Sequence, residues 1–108
     1  MKYLTRKDEL LLLSILRLGV EASLVKLREY LNNSTNKNWS IGNVFVSLDK
    51  LEDLGYIRPN LGEPTSRRGG KAVKFYTVTD AGLKALKETK EMQDGMWEGL
   101  HEAVFINY

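Results

Sequence analysis

Apolar positions recur at three- and four-residue steps along most of this chain, and the breaks in that period divide it into elements. The first block runs through Leu10, Leu11, Leu12, Leu13, Ile15, Leu16 and Leu18. It opens at Thr5, with Asp8 placed for a partial capping box, and should end at Gly19. Four leucines in a row, turning by about 100° per residue, leave this helix little polar face. A second side of it is therefore expected to be covered, and another subunit is the natural cover. Ser23 caps a second helix, with Leu24, Leu27 and Leu31 inward and Lys26 and Arg28 outward. The turn formers from Asn32 to Asn38 end it. Ser40 caps a third helix, with Trp39 and Val44 spaced as a hydrophobic staple. Ile41, Val44, Leu48 and Leu51 form its apolar stripe, and Gly55 should stop it. Asn43, Ser47 and Lys50 lie together on another face, with Gly42 and Val46 beside them. That is an uncrowded hydrogen-bonding surface with one cation.

After Gly55 the pattern changes. Tyr56 to Leu61 reads as a short strand, held to an edge by Pro59, and Ala72 to Val78 as its return strand. Between them GEPTSRRGGK is a turn region, so the pair forms a hairpin tipped by Arg67, Arg68 and Lys71. Gly69 and Gly70 let the hairpin turn; no nucleotide-binding spacing surrounds them. Thr79 caps a fourth helix. Leu83, Leu86, Trp97, Leu100 and Val104 follow a seven-residue pattern, interrupted in principle at Asp94-Gly95, so residues 80–105 read as one bent helix or two.

At 108 residues with 43% hydrophobic and 28% charged side chains, this is the size and balance of one small folded domain. A core this small makes self-association a natural source of added stability. Without cysteine there is no disulfide, thiol nucleophile or cysteine-ligated zinc. No targeting segment or membrane-spanning run is recognisable, which points to a cytoplasmic protein with no membrane partner. The formal charge of +2 is unevenly spread. Residues 56–78 hold Arg58, Arg67, Arg68, Lys71 and Lys74 against the single Glu63, a net +4, whereas residues 91–108 hold four acids and no Lys or Arg. The middle of the chain suits a polyanion and the tail would be repelled by one. The sole histidine, His101, has Glu98 and Glu102 nearby, but such a trio on an acidic helix is ordinary surface, and no base and nucleophile pair is marked. No catalytic, metal or cofactor site is expected.

Three helices followed by a basic-tipped hairpin is the winged helix-turn-helix order, a mainly α (α+β) fold with a two-stranded wing and a further C-terminal helix, the dimerisation helix of the family named next. The sequence also resembles the PadR-like transcriptional regulators. The resemblance lies in LTRKDELLLLSILRLG at the first helix, SIGNVFVSLDKLEDLGYI at the third, and LGEPTSRRGGKAVKFYTVTDAG from the wing into the fourth, together about residues 4–86. It departs from that pattern at Phe45, where a tyrosine is usual, at Asn43, where Thr or Ala is frequent, and at Ser23-Leu24, where a Tyr-Gly pair is typical. The resemblance implies a DNA-binding domain over residues 1–79 and a helical dimerisation segment over 80–108 within one compact unit. It further implies a homodimeric repressor on double-stranded DNA, with a small-molecule response in many members.

On that basis Asn43, Ser47 and Lys50 are the expected groove contacts, the asparagine offering the donor and acceptor that read adenine. Ser40 is a phosphate contact, and Arg67, Arg68, Lys71 and Lys74 bind phosphates or enter the minor groove. Leu11, Leu86, Met96, Trp97, Leu100 and Val104 are the expected dimer contacts. Met92, Met96, Trp97 and Phe105 admit a small aromatic effector, although packing of the interface is the plainer use of such residues. The competing class is a winged-helix module for protein–protein contact that binds no DNA. The basic wing is what separates the two.

Overall fold

The computed structural model describes residues 3–62 and 73–106. Four helices and one hairpin follow in the order α1 (Arg6–Leu18), α2 (Leu24–Thr35), α3 (Ile41–Asp53), β1 (Ile57–Leu61), β2 (Lys74–Val78) and α4 (Asp80–Trp97). Thr5, Ser23, Ser40 and Thr79 each accept a backbone N–H three residues ahead, so all four expected N-caps are made. Gly19 and Gly55 have φ of 58° and 79° where α1 and α3 stop, the left-handed region that glycine enters without strain.

Leu11, Leu12 and Ile15 of α1, Leu27 and Leu31 of α2, and Val44, Leu48 and Leu51 of α3 form the core, closed on one side by Ile57, Tyr76 and Val78. The hairpin is antiparallel, pairing Ile57 with Val78 and Leu61 with Lys74. A bridge from Ser23 to Phe75 and a bond from Tyr76 N–H to the Ala22 carbonyl (3.0 Å) put β2 between β1 and the start of α2. This leaves β1 as the edge, where Pro59 forfeits no needed donor.

Besides strand ends that shift by a residue or two, two boundaries differ from the sequence expectation. α2 continues through Asn32 to Thr35 before Asn36 turns it at φ 55°, so the link to α3 is shorter than the polar run suggested. Trp39 explains the extension. Its N–H donates to Asn32 Oδ1 (2.6 Å), its indole to Thr35 Oγ1 (3.0 Å), and its carbonyl accepts Arg28 Nε (2.9 Å). In α4 the helix passes through Asp94-Gly95 unbroken and ends at Trp97; the turn falls at Gly99 (φ 78°), before a short π-helical segment at Glu102–Ile106. An exposed helical glycine costs only about 1 kcal/mol against alanine, too little to break a helix supported elsewhere. Support comes from a stripe of small buried residues, Gly82, Ala85 and Thr89, that lets α4 approach the core closely, and Thr89 Oγ1 accepts the Leu4 N–H at 3.1 Å.

Burial raises the Tyr76 hydroxyl above the ordinary tyrosine value of 10.0; Lys74 opposes this, and Glu52 and Asp49 add to it. The folded chain thus holds this proton more tightly than the unfolded chain. Stability should be complete below the unfolded value and decline as pH rises through the folded one. Urea melts at stepped alkaline pH are expected to show this decline, and Tyr76→Phe should flatten it. An equal decline in the variant would assign the effect to other groups.

Candidate nucleic-acid interface

α3 is buried along Val44, Ser47, Leu48 and Leu51. The opposite, outward side therefore carries Gly42, Val46, Asp49 and Asp53, with Phe45 on one flank and Asn43 and Lys50 on the other. Phe45 is 52% exposed and Val46 65% exposed, large values for apolar side chains on an internal helix. Ser40 stands exposed at the N-terminus; its Oγ accepts the Asn43 N–H at 3.0 Å, which leaves the hydroxyl proton available to an acceptor.

Measured against this geometry, the expected polar stripe of α3 does not hold together. Ser47 is 4% exposed and faces the core, so it cannot reach a ligand in a groove. The period allowed it to be placed on the polar face because it lies beside, not opposite, the apolar stripe. Lys50 is half-exposed, but its Nζ lies 2.7 Å from Asp8 Oδ2, whose side chain is 6% exposed. Its first task is to neutralise a carboxylate buried in the first turn of α1, tying α3 to α1. Asn43 remains exposed. Asp49 is missing from the expected face although the signal for it is present, since the direction opposite Val44, Leu48 and Leu51 passes through residues 42, 46 and 49; Phe45, noted above only for the tyrosine it replaces, lies on the flank.

Lys74 is exposed at the base of the hairpin, 3.7 Å from Glu52 Oε1 and with its Nζ 5.8 Å from the centre of the Tyr76 ring. Arg67, Arg68 and Lys71 lie outside the described residues. Among the described residues no group of three or more His, Cys, Asp or Glu is placed to hold a metal ion, and no helix is long and apolar enough to cross a membrane.

At the other end of the molecule, Leu11 is fully buried in the core of its own chain and cannot meet a second subunit. The side of α1 left uncovered holds Leu13 and Leu16 instead, which with Leu83 and Leu86 line a groove of about 480 Å³ between α1 and α4. Met96, Trp97, Leu100, Val104, Phe105 and Ile106 are all exposed. Trp97 stacks on Phe105 (centroids 5.7 Å, 21° between planes), with His101 4.6 Å from the same ring. Two of the four tail acids meet lysines one turn earlier on α4, Lys87 to Glu91 and Lys90 to Asp94 at 3.9 and 2.8 Å.

No family model matches the chain, and no curated protein matches it. Solved structures do. A transcriptional regulator from Clostridium thermocellum superposes with a TM-score of 0.67 at 19% identity, over 90% of this chain and 88% of that one. A PadR family transcriptional regulator from Eggerthella lenta gives 0.67 at 22%, over 93% and 85%. Wild-type MarR from E. coli, in its apo form, gives 0.67 at 20%, over 97% and 67%. At such identities the likeness establishes the winged-helix fold that this chain shares with PadR-family and MarR-like regulators.

Proposed function

We propose that this protein is a DNA-binding transcriptional regulator that works as a homodimer and represses by occupying a pseudo-palindromic promoter site. The observation that carries this reading is the open side of α3, where Gly42, Asn43, Phe45 and Val46 are exposed, on a helix whose C-terminal end meets, through Glu52 and Lys74, the base of a hairpin whose sequence is strongly basic. A helix presented in this way fits a major groove, with the wing reaching the flanking backbone. The revised groove set is Gly42, Asn43, Phe45 and Val46. Asn43 supplies adenine-type hydrogen bonding, and the two apolar side chains suit thymine methyl groups. Ser40, Arg67, Arg68, Lys71 and Lys74 bind phosphate.

Pairing is supported by shape as well as by apolar surface. The Cα radius of gyration is 16.3 Å and the longest extent 56 Å, whereas a compact domain of this length has a radius of about 13 Å. The C-terminal end of α4 projects past the core with its apolar side chains uncovered, and a second copy covers them. The Trp97–Phe105 stack supports packing at that interface and gives no support to an effector there.

A second reading has one observation in its favour. The outward side of α3 also bears Asp49 and Asp53, a mixed apolar and acidic surface that suits a protein partner. Selection of bound sites from a random duplex pool tests both. Enrichment of two-fold symmetric sites with half-site centres about 34 Å apart is expected. Arg67→Ala should weaken binding to every duplex and reduce the salt slope by about one unit, while Asn43→Ala should relax sequence preference. An unenriched pool, together with flow-through on random duplex at low salt, favours the protein-binding module.

A further inference from the structure

A cleft of about 400 Å³ opens beside the N-terminus of α3, lined by Arg6, Lys7 and Leu10 of α1, by Lys37, Asn38 and Trp39 of the α2–α3 turn, and by Asn43. Three cations meet there from parts of the chain some thirty residues apart, and no acidic side chain is among the lining. Arg6 has Glu9 Oε1 at 3.3 Å, yet its own side chain is 73% exposed while that of Glu9 is 8% exposed, and Glu9 also accepts Gln93 Nε2 at 3.2 Å. The guanidinium therefore retains most of its donors for an outside acceptor. Lys7 Nζ lies 5.9 Å from the centre of the Trp39 ring, and the indole is fastened to α2 through both its backbone and its ring nitrogen. The fastened indole offers an aromatic face to one ammonium at the outer edge of cation–π range.

We propose that this cleft is a phosphate-binding surface for the DNA backbone, separate from the wing and on the other side of α3. The inference rests on the DNA-binding reading above. Exposed Asn43 lines the cleft and exposed Ser40 directly follows Trp39, one of its walls; the cleft is open and charged in the way a polyanionic strand requires, and its amides can serve oxygens that the cations do not reach. α3 is then gripped from two sides, by the wing on one and by Arg6, Lys7 and Lys37 on the other. The net charge of the two segments concealed this: Arg6 and Lys7 sit next to Asp8 and Glu9 in sequence, but those acids are buried and turned to Lys50, Arg6 and Gln93.

The test is the slope of log affinity against log salt for a labelled random duplex. Two variants serve: Lys7→Gln with Lys37→Gln, and the same pair with Arg6→Gln. The double variant keeps the partner of Glu9. Slope reductions of about one to two units for the double and about two to three for the triple are expected, at roughly 0.9 per phosphate contact removed, with equal loss on matched and random sites. An unchanged melting temperature should accompany the double variant. Wild-type slopes in both variants, alongside a reduced slope in Arg67→Ala, would overturn this inference and leave the DNA reading standing. A wild-type protein that ignores duplex at low salt overturns both.

Discussion

Gly82→Ala should lower the stability of this protein by about 3 kcal/mol, at the upper end of what a single overpacked methyl group costs. A Cβ built at Gly82 falls against the carbonyl oxygen of Tyr56 and 2.7 Å from Val78 Cγ1. A side chain could rotate away; the carbonyl cannot. Tyr56 N–H is bonded to the Leu51 carbonyl at 2.9 Å, and its own oxygen accepts Thr79 N–H at 3.0 Å. Thr79 Oγ1 in turn donates to the Gly55 carbonyl at 2.6 Å and accepts Gly82 N–H at 3.1 Å. One added carbon must therefore move either the end of α3 or the start of α4. For a domain of this length the loss corresponds to roughly 10–20 °C in melting temperature. Gly95→Ala on the same helix is the control: no atom lies within 4 Å of the added carbon. It should be neutral or stabilising by up to about 1 kcal/mol. Equal melting temperatures for the two variants would show that α4 does not lie against Tyr56 as described.

Leu11→Ala should cost about 2–5 kcal/mol, the range for truncating a fully buried leucine. Its distinguishing feature is independence from protein concentration, because the cavity opens inside one chain. Trp97→Ala should behave in the opposite way. It should leave the unfolding of the single chain nearly untouched and weaken self-association, read by sedimentation equilibrium over a dilution series. A Leu11 variant that melts normally but dissociates would return that residue to the interface. A Trp97 variant that pairs like the wild type would remove it from there.

Local signals were legible residue by residue. Capping hydroxyls at Thr5, Ser23, Ser40 and Thr79 report backbone chemistry within three positions, and glycines at 19 and 55 report a backbone sign, so neither needs knowledge of the tertiary fold. The errors arose where two elements had to be known together. Ser47 and Leu11 were misplaced because α3 and α1 are each covered on more than one side, and periodicity shows that a face is apolar without saying how wide the cover is. The sequence assigns Lys50 to the groove because its partner, Asp8, is forty-two positions away. The cleft at Trp39 was illegible for the same reason: its three cations come from two segments, and one of those looks neutral until its acids are seen to be buried. The wing residues Arg67, Arg68 and Lys71, outside the described residues, remain sequence assignments.

The placement of the two tryptophans has a practical consequence. One is clamped at the proposed nucleic-acid face, its indole N–H bonded to Thr35, and the other stands half-exposed on the projecting end of α4. Replacing either with phenylalanine leaves a single tryptophan, which can be excited to the red of the five tyrosines, so the colour and anisotropy of its emission report events at the groove-facing end from one position and at the pairing end from the other. The protein carries its own pair of optical probes, one for each of the contacts on which its regulation would depend.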